Sequence, residues 1–139
     1  MLGVKTYPQD YIDACRARVA AQVASFRALA EPAYNAGLIS PLASFSHEFF
    51  NDMVIVLDAS FVHRLRGVEG KDGNPLNEVR MLANSLLAGG GLLTADKTIK
   101  YDPGNAVLGL PLGEPFRLSE TQFVELAEAF FAELERRFT

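Results

Sequence analysis

Tryptophan is absent from this 139-residue chain, and cysteine occurs once, as Cys15. A single cysteine excludes an internal disulfide, so the core alone must hold the fold, as suits a reducing cytosol. Long apolar runs are missing too. The longest strongly apolar stretch, Met53 to Leu57, falls far short of the ~20 residues a membrane-spanning helix needs. Met1 to Lys5 lacks a signal peptide's apolar length, and acids follow at Asp10 and Asp13. The expectation is a soluble, cytoplasmic protein with no membrane partner. A basic excess is also lacking: the formal net charge is −4, which weighs against nucleic acid as a partner.

Histidine is scarce. His47 and His63, on one continuous helix, would stand ~24 Å apart and ~160° around the axis, so they could not share a metal. No His-x-x-x-His, Cys-x-x-Cys or Glu-x-x-His pattern occurs, so no metal and no cofactor is expected. Glu48 and Asp52 share a helix face and read as a solvated acidic surface. No serine lies in a Gly-x-Ser-x-Gly elbow. Cys15 lies in an apolar stripe, where burial makes a thiol inert. Asp58 flanks the apolar side of its helix and needs a partner, either an arginine or His47. It reads as half of a structural ion pair, with proton transfer as the alternative. No catalytic set emerges, and the sequence leans away from an enzyme.

What is there is core material. Hydrophobic residues make up 49% of the chain and charged residues 22%, a globular balance that fits one domain over 1–139. A first helix is predicted from Pro8 to Leu29, with Ile12, Cys15, Val19, Val23 and Phe26 on one face and Pro32 as its stop. From Pro32 to Ser46 no residue carries a formal charge. The prolines and Gly37 predict an irregular segment lying on the body, or else the wall of an apolar-ligand pocket. A second helix is predicted from Ser46 to Arg66, capped by Ser44 or Ser46. It is apolar nearly all round, and helix is preferred to strand at Met53–Leu57. Asn74 and Pro75 open a third helix that Gly89 to Gly91 stop. Residues 92 to 116 suggest a small β-hairpin or extended arm around the Asp102-Pro103-Gly104-Asn105 turn. Ser119 and Gln122 form a capping box for a last helix. The fold class is therefore mainly α: a four-helix, bundle-like domain with a hairpin or arm before the last helix.

Two features carry functional expectations. Helix two and the last helix offer more apolar surface than neighbours can cover, which points to self-association as a homodimer, or to docking of a protein partner. Ile55, Val62, Val124, Phe131 and Phe138 are the candidate interface residues. The alternative lies at the junction from Arg64 to Arg80. There Arg64, Arg66, Lys71 and Arg80 surround the helix start at Asn74, a setting that suits a phosphate or carboxylate. Gly70 and Gly73 would permit close backbone approach. Glu69, Asp72 and Glu78 partly neutralise the cluster, and neither a Walker A loop nor a dinucleotide fingerprint is present.

Overall fold

The computed structural model describes residues 3–139 and is mainly α-helical. Four principal helices are joined by a one-turn helix: α1 Gln9–Asn35, α2 Ile39–Ala59, α3 Arg66–Glu69, α4 Pro75–Ala88 and α5 Glu120–Phe138. The central helix is α2, which packs against α1, α4 and α5. Phe50, Val54 and Leu57 of α2, Leu76 and Val79 of α4, and Phe123, Phe130 and Leu134 of α5 lie in one buried apolar cluster. No helix among the described residues is long and apolar enough to cross a membrane.

The expected boundary between the first two helices is wrong. Pro32 lies inside α1, which runs on to Asn35. Proline removes one amide donor and crowds the preceding turn, and so close to a helix end only one hydrogen bond is forfeited. The stop comes at Gly37, whose φ is +81°. Leu38 N–H donates to the Ala33 carbonyl at 2.9 Å and Gly37 N–H to that of Tyr34 at 3.0 Å. That pair of bonds is a Schellman closure, which places a glycine where φ is positive.

The segment predicted to be irregular is likewise the first half of α2. Pro41 falls in its first turn, where the amides have no helical partner in any case. Neither Ser44 nor Ser46 is the cap; Leu38 holds that place without a side-chain bond. At the other end α2 stops at Ala59, seven residues before Arg66. Phe61 folds back into the core at 1% exposure. Its ring meets Tyr7 edge-on at 5.0 Å and Phe130 at 5.7 Å. Met53–Leu57 is helical, as expected.

The Asn74 cap is present, its Oδ1 accepting from Leu76 N–H at 2.9 Å. The capping box closes in both directions between Ser119 and Gln122. Residues 92 to 116 form an arm but no hairpin. Its strand-like pairing is one isolated bridge between Leu92 and Pro115, since Pro103, Pro111 and Pro115 supply no amide to a ladder. Backbone bonds flank that bridge, from Leu93 N–H to the Glu114 carbonyl at 3.0 Å and from Gly113 N–H to the Leu93 carbonyl at 2.8 Å, and side chains hold the rest of the arm. Glu78 accepts from Val107 N–H at 2.8 Å and Leu108 N–H at 3.0 Å, and the Tyr101 hydroxyl donates to the Leu110 carbonyl at 2.5 Å.

Candidate functional site

The Arg64–Arg80 junction is a closed ion network. Glu69 has no exposed surface. Its carboxylate takes the Arg80 guanidinium in a fork, at 2.6 Å and 3.1 Å, and the Asn77 amide at 2.7 Å. Arg64 is only 3% exposed. Its Nε lies 2.9 Å from Glu69 Oε1 as an ion pair without an aligned hydrogen bond. Its two Nη atoms donate to the carbonyls of Phe61 and Leu76 and to Asp58, the last at 2.9 Å. Asp58 thus has the arginine partner its position required. Burial alone would push the Glu69 carboxyl upward, but Arg80, Arg64 and Asn77 bring it below the usual range.

The expected anion-binding residues are therefore largely engaged with the chain itself. Arg64 and Arg80 serve Glu69. Arg66 donates to the Thr98 hydroxyl at 2.9 Å. Asn74 is committed to the helix start and donates to the Glu69 carbonyl at 2.8 Å. The space beside Gly70 is occupied by Arg137: an added Cβ would meet its guanidinium at 2.7 Å. At Gly73 the occupant is the Lys100 carbonyl, which a Cβ would overlap. Lys71 stays exposed, and its carbonyl accepts from Lys100 N–H at 2.9 Å. The glycines do permit close approach, but what approaches is this chain's own arm and last helix.

Of the candidate interface residues, Phe131 and Phe138 are at 2% and 0% exposure, so they present no surface. Phe131 packs on Phe61 and Phe130 and lies under the Arg16 guanidinium at 5.0 Å. Phe138 meets Tyr7 at 5.6 Å. Ile55 and Val124 are half-buried against the core. Val62 is exposed, in the turn after α2 rather than on it. His47 and His63 do not share a helix, because α2 ends between them. No group of three or more His, Cys, Asp or Glu among the described residues is arranged to hold a metal ion.

Five large exposed apolar side chains lie together on the α1–α2 hairpin, while others, such as Leu87 and Val62, stand elsewhere. In α1 no residue after Phe26 is buried, and in α2 none before Phe50. Leu29, Tyr34, Leu38, Ile39 and Phe45 are 44% to 60% exposed. Phe26, Leu29, Phe45 and Phe49 line an open groove of about 400 Å³, where the Phe26 ring stacks on Phe49 at 5.7 Å. Sequence reasoning noted the absence of charge from 32 to 46 but read the segment as irregular, a loop on the body or an apolar-ligand wall, and so placed its interface candidates elsewhere.

A second concavity, of about 440 Å³, lies on the opposite side of α2. It is lined by Ser40, Ser44, His47, Glu48 and Asn51, with Arg117 facing them from the segment before α5. No family model, curated protein or solved structure matches this chain.

Proposed function

We propose that this protein is a self-associating module whose α1–α2 hairpin pairs with the same hairpin of a second copy. The observation that carries this reading is the exposed apolar tip formed by Leu29, Tyr34, Leu38, Ile39 and Phe45, in which residues 32–46 carry no formal charge. Contiguous apolar surface of this kind marks interaction sites. Two helices alone cannot bury both of their faces, whereas two hairpins together make a four-helix arrangement with an interior.

The absence of charge favours a like copy over a partner of other composition. In a twofold contact each patch meets itself, so any charge near the axis faces its own kind. For a chain of net charge −4, a neutral patch avoids that like-charge contact. The apolar-ligand wall suggested for the same residues is the weaker reading, because the groove is open to solvent along the helices.

Sedimentation velocity tests the proposal. The wild-type protein is expected to move as a dimer that dissociates on dilution. Leu38→Glu and Ile39→Glu place a charge at sites 52% and 55% exposed, so the fold should survive, and each variant should sediment as a monomer. A wild-type protein that remains monomeric at its highest attainable concentration refutes the reading.

A further inference from the structure

We propose that the cleft between the polar face of α2 and the 116–118 segment binds a small zwitterion of the α-amino-acid type. The floor of the cleft is set by helical spacing. Ser40, Ser44 and Glu48 fall four apart, as do Ala43, His47 and Asn51, so they make two adjacent ridges of one helix face. The far wall is Arg117.

The frame of this cleft is fixed by Asn51 and by one ring nitrogen of His47. Asn51 donates to the Phe116 carbonyl at 3.2 Å and accepts from Leu118 N–H at 3.0 Å. His47 Nδ1 lies 3.2 Å from the Leu118 carbonyl. A carbonyl only accepts, so Nδ1 carries the proton, and in the neutral ring Nε2 is left as an acceptor. Both residues clamp the backbone on either side of Arg117 and thereby hold Arg117 opposite α2.

The remaining groups are uncommitted. Among the described residues, Ser40, Ser44, Glu48 and Arg117 form no side-chain hydrogen bond and no ion pair, although they line one concavity. Six of the nine arginines, Arg16, Arg27, Arg64, Arg80, Arg136 and Arg137, are paired with acids, and Arg66 donates to Thr98. Arg18, like Arg117, has no such partner among the described residues, but only Arg117 shares a concavity with an unpaired acid. Glu48 and Arg117 thus stand as opposite charges kept apart across a cleft. A simple anion would satisfy Arg117 and meet Glu48, and a simple cation would do the reverse. The complement is a molecule carrying both signs a short distance apart. Its carboxylate would take the Arg117 guanidinium and the serine hydroxyls, and its ammonium would donate to Glu48 and His47 Nε2.

Amide chemical shifts of the intact protein, recorded while the standard α-amino acids are added one at a time, test this directly. At least one is expected to move the signals of Ser40, Ser44, His47 and Arg117, while its N-acetyl and C-amide forms leave them in place. Arg117→Ala and Glu48→Gln alter exposed side chains without partners, so circular dichroism should be unchanged while the affinity falls about tenfold or more. The proposal is overturned if no amino acid shifts these signals at millimolar concentration. It is also overturned if acetate or the N-acetyl form shifts them equally, or if either variant binds as the wild type does.

Discussion

Glu69 and Glu78 are both buried acids, on either side of one helix start, yet they behave in opposite ways. Glu69 is surrounded by cations, and Glu78 only by the Val107 and Leu108 amides. For Glu69 the folded carboxyl lies below its ordinary value of 4.5. Its contribution is complete above that value and is lost as the pH falls through the folded one. For Glu78 burial outweighs the two amides and raises the carboxyl. The folded state then binds the proton more tightly, and stability declines as the pH rises from 4.5 through the raised value. Urea denaturation across pH is therefore expected to show two limbs on opposite sides of the ordinary carboxylate value, with Glu78→Gln removing the upper one. Glu69→Gln should lose about 3 kcal/mol at neutral pH, because it leaves Arg64 buried with only Asp58 as counter-charge. The residue types at this junction were evident in the sequence, but their pairing was not. Nothing local tells an arginine awaiting an anion from one that will close on Glu69 five positions later.

Elements were legible where their signal is a side chain acting on its own backbone. Asn74 and Ser119 are of this kind, and both caps are present. The α1–α2 boundary was not legible, because proline reads as a break even where its position, near a helix end or within a first turn, makes it tolerable. Residues 92 to 116 read as either a hairpin or an extended arm, and the structure has the arm: Pro111 and Pro115 limit its pairing to one bridge and the backbone bonds beside it. Two glycines separate backbone strain from crowding. Gly37 has positive φ and open space beside it, so Gly37→Ala should lower stability by about 1 kcal/mol through conformation alone. Gly73 has positive φ and the Lys100 carbonyl in the way, so Gly73→Ala must also push the arm aside. A thermal melt should rank Gly73→Ala well below Gly37→Ala. Equal losses would mean that the arm yields freely.

Over the whole molecule, the buried ion network and the apolar tip lie apart. The ion network sits where α3, α4 and α5 meet, and the neutral tip lies at the far end of the α1–α2 hairpin. The apolar surplus inferred from the sequence exists, but not on the α5 stripe, whose Phe131 and Phe138 are enclosed. It lies where two helices run past their last buried residues. An interface without formal charge should respond little to ionic strength, since screening acts only on charges. The dimer dissociation constant is therefore expected to hold nearly constant between low and physiological salt. A steep fall in affinity with added salt would place the contact on another face.

Because the arm is pinned at separate places, by a short set of backbone bonds between 91–93 and 113–116 and by the side chains of Glu78 and Asn51, its attachments are independent of one another. A strand lifts from a sheet as a zip, each bond failing with its neighbour. Here Glu78 can release Val107 and Leu108 while Asn51 keeps Phe116 and Leu118 in place. Loosening can thus proceed in instalments, and the wall of the amino-acid cleft stays standing while the loop over α4 breathes.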